Sequence, residues 1–400
     1  MAGERINSPP SATTGYGVLA SEVTESTETE ARPLTHINTA QVNMATATTT
    51  TTIQRNPKDS LKSTWRLDPN KDGWTMAHHL FGFMDIHQSL LDVPVPVHQK
   101  SEPVPYLPNW QMNAFVLFWG AMPLLAHHAF HSLSGGRDVH IVFAYAYYAL
   151  AMVAFAVHEL RMLRRLGHRY GYLDGDKHGR DGVPDATVQK VADSLLLAVL
   201  FRPAVLILLA YRADRAPASI NLYWLPLQAA AYPIVTDFWF YWYHRLMHEV
   251  PLLWKFHRTH HLTKHPNALL TIFADTEQEV FDIAVIPALA ILTMKLIGLE
   301  LDFYALWMCH MYVWFTELLG HSGLRVHLQA ASPISGLLVY LGMELALEDH
   351  DLHHRTGWKG SHNYGKQSRV WDKLFGTCTE RIECKENNVN YDDIASFPLF

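Results

Sequence analysis

The stretch Asp237-Phe-Trp-Phe-Tyr-Trp-Tyr-His244-Arg-Leu-Met-His248 begins as an apolar, aromatic run and ends in two histidines four residues apart. On a helix that spacing puts both imidazoles on one face about one turn apart, where they can share a metal. Tyr241 and Asp237 continue the same face backward. A carboxylate inside an apolar segment needs a partner. Histidine ligands usually donate their second N–H to a carboxylate or carbonyl, so Asp237 is expected to support this first pair. Downstream come His257-Arg-Thr-His260-His261 and, much later, His350-Asp-Leu-His353-His354, both of the form HxxHH. One HxxxH arises by chance on many helices; followed by two HxxHH boxes, it predicts a metal centre.

Eight imidazoles exceed what one zinc ion takes, because structural zinc closes with four ligands. Imidazole also suits iron and copper. Two adjacent ions ligated by histidine without thiolate fit a non-haem di-iron centre, distinct from the Glu-rich sites of soluble di-iron bundles. Two irons each supply an electron to split dioxygen, and the protein contributes positioning and exclusion of water. His127, His128, His131, His78 and His79 lie apart from the boxes and are expected to be ordinary polar groups.

Working outward, apolar segments of near the twenty or so residues that cross a bilayer fall at 111–130, 140–160, 190–211, 222–243, 280–298 and 302–319. Arg202 and Pro203 interrupt the third, and Pro226 and Pro233 the fourth; membrane helices packed on neighbours tolerate such breaks. The fold class expected is therefore all-α: a multi-pass membrane bundle of about four to six segments carrying a histidine-rich di-metal cap. Arg161, Arg164, Arg165, Arg169 and Lys177 assign the loop after the second segment to the cytoplasm. Two crossings later Arg245, Lys255, Arg258 and Lys264 surround the first boxes, which puts the histidines on the cytoplasmic face. Residues 1–60, with the run from Thr46 to Thr52, have too few apolar groups for a core and predict a disordered tail. Neither a secretory signal nor a mitochondrial transit peptide fits them. Residues 61–108 predict an interfacial approach to the membrane, 109–233 membrane helices, 234–378 the catalytic region and 379–400 a C-terminal tail.

Composition agrees. Hydrophobic residues make up 49% and charged residues 18% of the 400, more apolar than an ordinary soluble domain. The net charge of −6, with no run of Lys and Arg, excludes nucleic acid as a partner. Cys309, Cys378 and Cys384 form no ligand pair and no disulfide framework.

The residues at this point resemble the fatty acid hydroxylase superfamily, which includes sterol C4-methyl oxidases, sterol C5-desaturases and sphingolipid hydroxylases. The resemblance covers about residues 234–378. It rests on DFWFYWYHRLMH (Asp237 to His248), WKFHRTHH (Trp254 to His261), GHSG (Gly320 to Gly323), EDHDLHH (Glu348 to His354), HNYG (His362 to Gly365) and WDKLFGT (Trp371 to Thr377). It implies that His244, His248, His257, His260, His261, His350, His353 and His354 are iron ligands, with His321 of GHSG as the ninth. It also implies an endoplasmic reticulum location, dioxygen as co-substrate and electrons from NAD(P)H through a reductase and cytochrome b5, separate from this chain. Many members place His-Pro after the second box, where this chain has Asp275-Thr276. The missing ligand is Asp275, His265 or neither, with His310 and His327 as further spares.

The leading expectation is a mono-oxygenase that hydroxylates a C–H bond of a lipid-like substrate: a fatty acyl, sterol or sphingoid group, or the aliphatic part of a secondary metabolite. A desaturase is the near alternative, since the same oxidant abstracts hydrogen in both and placement decides between them. A membrane metal carrier is disfavoured because the histidines gather on one side. A zinc hydrolase is disfavoured because no serine or carboxylate constellation accompanies them.

Overall fold

A computed structural model describes residues 62–357 and 360–400; the predicted disordered tail lies outside the described residues. The chain is helical: α1 Met76–Met84, α2 Asn109–Leu133, α3 Ile141–Tyr170, α4 Val188–Ala210, α5 Leu225–Glu249, α6 Pro251–His257, α7 Thr276–Val280, α8 Ile286–Leu296, α9 Phe303–Gly320, α10 Ser335–Tyr340, α11 Leu347–Thr356 and α12 Val370–Phe375. Two strands, β1 Val104–Tyr106 and β2 Val389–Ile394, pair in parallel with a bulge after Pro105.

Each of the six apolar segments folds as helix, but their roles differ. Two helical stretches are long and apolar enough to cross a bilayer: α3, and Asp185–Ala210, which is α4 with a short lead-in. Helices α2 and α5 have the length but carry polar side chains such as Asn113, His127, Gln228 and Asp237. A π-helical turn at Phe281–Val285 joins α7 to α8, where Pro287 has no N–H to continue the ladder. Helix α9 is buried from Phe303 to Leu319 and packs against α2, α3, α4 and α5. It is hydrophobic all round because it has no exposed face.

At the end of α9 where the site forms, loops replace helices. The segment after α3 crosses beneath the site, with Leu173 N donating to Gly323 O and Asp181 N to His265 O. The C-terminal segment runs back over α11: the amides of Ile382, Glu383 and Cys384 all donate to the Glu348 carboxylate. Strand β2 then pairs with β1, and Leu399 O accepts from Trp119 Nε1 on α2.

Candidate metal centre

The nine predicted histidines come from five places in the chain and meet in two groups. His244 and His248 end α5, and His257 ends α6. His260 and His261 form the 3-10 turn that follows, His321 closes α9, and α11 carries His350, His353 and His354. One group is His244, His248, His257, His261 and His353; the other is His260, His321, His350 and His354. Within each group one ligand atom per residue lies within 4.8 Å of all the others. All nine side chains are buried. The groups adjoin, with the His261 and His354 rings 4.8 Å apart and those of His257 and His260 5.3 Å.

In six of the nine the outward-facing nitrogen is fixed by an oxygen acceptor. Nδ1 of His244 donates to Tyr364 O (2.7 Å), of His257 to Gln278 Oε1 (2.9 Å), and of His353 to His362 O (2.6 Å). In the second group His260 donates to Phe273 O, His321 to Glu317 O and His354 to Thr263 O. A neutral imidazole that donates at Nδ1 bears a lone pair at Nε2. Two pairs of those Nε2 atoms face each other, His244 to His257 at 2.9 Å and His321 to His260 at 3.2 Å; Nε2 of His261 and of His350 approach the same atoms of His257 and His321 at 3.0 Å. Lone pairs pointed at each other at hydrogen-bond distance repel unless a cation lies between them. Among the described residues Nε2 of His354 has no hydrogen-bond partner. Burial, followed by repulsion from neighbouring imidazoles in most of them, pushes His244, His257, His260, His261, His321, His350 and His353 well below the ordinary value, and burial takes His354 to about 3. They are therefore neutral and available as ligands at physiological pH.

The closing motif now has a physical reason. Asn363, in a left-handed conformation, donates through its side-chain amide to Asp349 O. Asp372 accepts from the amides of Tyr364 and Gly365 and from Thr377 Oγ1. HNYG and WDKLFGT thus fold one loop that presents the His362 and Tyr364 carbonyls to His353 and His244. Gly357, just after the third box, leaves room for that box: a Cβ there would lie 2.0 Å from His353 O and 2.9 Å from the His261 ring.

The three candidate extra residues stand elsewhere. Asp237 bonds no histidine: its carboxylate accepts from the amides of Lys366, Gln367 and Ser368 and from Ser368 Oγ, so it reaches His244 only through the loop carrying Tyr364. Asp275 is turned away, paired with Lys190 and accepting from Thr259 Oγ1 at 2.7 Å. His265 bonds Asp174 at 3.0 Å and stacks on His178. His310 lies beside Arg202, which is ion-paired with Glu317 at 3.1 Å, and His327 serves the loop next to β1. Sequence reasoning missed Gln278. Its position three residues after Asp275 in FADTEQE was the available signal: a buried amide one helical turn beyond a departure from pattern.

Around the third box the inward residues are histidines and the outward ones acids. Asp349 binds Arg381, and Asp351 is ion-paired with Arg180 (2.5 Å) and Arg355 (2.8 Å). These contacts hold α11 from outside.

A buried, all-histidine double site at one end of a helical bundle defines a class, the histidine-box metalloenzymes. A sequence profile described as Fatty acid hydroxylase matches residues 229–377. Fatty acid hydroxylase vlmA of Lecanicillium sp is 41% identical over 312 residues, covering 74% of this chain and 84% of that protein. Human alkylglycerol monooxygenase is 28% identical over 147 residues, 35% of this chain and 28% of its own. Methylsterol monooxygenase 2-1 of Arabidopsis thaliana is 28% identical over 155 residues, 38% and 55%. No solved structure matches. The chain belongs to the fatty acid hydroxylase family. It is an oxidoreductase of the lipid hydroxylase type, and with its two apolar helices, a membrane protein.

Proposed function

We propose that the protein is a multi-pass membrane mono-oxygenase that inserts one oxygen atom of dioxygen into a C–H bond of a lipid-like substrate, at a di-iron centre held by the nine histidines. The observation that carries this reading is the convergence of buried Nε2 atoms, with the lone pairs of His244 and His257 and of His260 and His321 facing each other as they would around a cation. Nine imidazoles in two adjoining groups exceed the four ligands that close a structural zinc site, and imidazole without thiolate suits iron. Bound there, iron supplies the reductive cleavage of dioxygen, with electrons from NAD(P)H through a separate reductase and cytochrome b5. The chain's own part is to fix six of the nine imidazoles in one tautomer and to keep water away by burial beneath Trp254 and Tyr364, whose rings pack on His248. The basic loop after α3 supports a cytoplasmic active site in the endoplasmic reticulum.

Hydroxylation is favoured over desaturation because the relatives named above are hydroxylases and mono-oxygenases. Expression in yeast under ¹⁸O₂, followed by mass spectrometry of lipid extracts, tests it. A product with one labelled oxygen is expected; an unlabelled product two hydrogens lighter would sink hydroxylation in favour of desaturation. Purified protein should carry about two irons per chain, and zinc alone after iron-replete expression would overturn the metal assignment.

A further inference from the structure

We infer that a basic pocket at the end of α3 binds the anionic head of a membrane amphiphile, a site separate from the histidines. The pocket has a volume of about 200 Å³. Its lining includes the basic side chains Arg164, His168, His178 and Arg180 and the apolar Leu91 and Val93. Its described lining includes no carboxylate.

Arg180 is 7% exposed, and its Nε and Nη1 have no hydrogen-bond partner among the described residues. Only Nη2 is engaged, with Asp351. The guanidinium is held rigidly against Gly323, where any side chain would collide with it, and over the Tyr172 ring. Arg164 spends Nη1 and Nη2 on Asp85 and His87, leaving Nε unpartnered. His178 Nε2 and His168 Nδ1 are likewise buried without partners. Four side chains lining the pocket, His178 and Arg180 buried and Arg164 and His168 half-buried, thus each hold a buried nitrogen with no acceptor among the described residues. A buried polar group of this kind is costly unless something bonds it. Two guanidiniums with spare N–H groups suit the oxygens of a phosphate or carboxylate.

Depth selects the source of the anion. The hydrocarbon core takes about twenty residues of helix, and Arg137, Asp138 and His140 mark where α3 enters it. The core therefore ends near residue 160, and Arg164 and His168 lie one to two turns beyond, at headgroup level. Leu91, Val93 and Val97, all more than two-fifths exposed, stand at the same pocket and face the apolar side of such a molecule. Arg180 also links the pocket to the centre, since its other partner, Asp351, sits between His350 and His353 on α11.

The test is binding of dihexanoyl phosphatidic acid to the purified full-length protein in neutral detergent, by calorimetry. Dihexanoyl phosphatidylcholine and inorganic phosphate serve as comparison ligands. Saturable binding of one phosphatidic acid is expected. Leu91→Glu, an exposed position, places a like charge at the mouth and should weaken it about tenfold. His178→Gln should weaken it several-fold. Arg165→Gln, on the same helix but outside the pocket, should leave it unchanged. Arg180→Gln disturbs α11 as well, which is why Leu91→Glu, with its thermal midpoint checked, decides the matter. Inorganic phosphate binding as tightly as the lipid would overturn the lipid assignment. Binding indifferent to Leu91→Glu and His178→Gln, or no binding, would overturn the site.

Discussion

Replacing Gln278 with Leu removes the single acceptor for His257 Nδ1, 2.9 Å away in a fully buried setting. Two effects follow. The Nδ1–H is left without a partner, which costs about 1–3 kcal/mol. The proton is also no longer held at Nδ1, and its transfer to Nε2 would block the lone pair that faces His244 and His261. Because both penalties fall on the ligating tautomer, they appear in metal affinity: about 10- to 100-fold weaker binding, the range usual for groups that orient a metal ligand. Competition with a chromophoric chelator measures this directly, for Fe(II) under anaerobic conditions and for Co(II). Gln278→Glu, which keeps an acceptor of nearly the same shape, should recover most of the affinity. Wild-type affinity in a folded Gln278→Leu protein would refute the idea that this contact sets the His257 tautomer.

Other expectations can be checked with the same preparations. His353→Ala and His260→Ala each remove one ligand from a different group and should abolish product while lowering iron content; retained activity would refute the assignment. Asp275→Asn should leave iron content unchanged and cost less than about 1 kcal/mol in stability, because its ion pair with Lys190 is partly exposed; loss of a metal ion would show that Asp275 is a ligand after all. Asp237→Asn gives up charge-assisted bonds to three successive amides and should lower stability by about 2–4 kcal/mol, measured by thermal unfolding. The metal-free protein should lose stability as pH falls below about 6.5. Unfolding frees histidines that the fold holds neutral, so the unfolded state binds more protons, and for His354 the loss continues down to about 3. A denaturation midpoint equal at pH 7.5 and 5.5 would contradict this.

Local signals carried a long way here, because histidine spacing and apolar runs are properties of single segments. Every apolar segment became a helix, and eight of the nine histidines lie in local patterns at i, i+3 and i+4, while His321 was legible only through the resemblance of GHSG. Relations between segments were not legible. Asp237 shares a helical face with His244, yet its carboxylate turns to the amides of residues 366–368. Nothing within α5 says that a loop more than a hundred residues later arrives there. Gln278 and the carbonyls of Tyr364 and His362 were missed for the same reason, since a backbone oxygen has no signature in sequence. Helix α9 reads as a membrane segment and proves to be the axis of the bundle, because burial by protein and burial by lipid call for the same side chains.

The strap formed by residues 381–400 has a consequence for the third box. Glu348, beside that box, is held by amides at 382–384, and β2 closes on β1, far earlier in the chain. Until this segment has docked, α11 rests on Arg180 and Arg355, although the first two boxes precede it by about ninety residues. A chain cut short near residue 380 would keep all nine histidines and lose part of what aligns three of them.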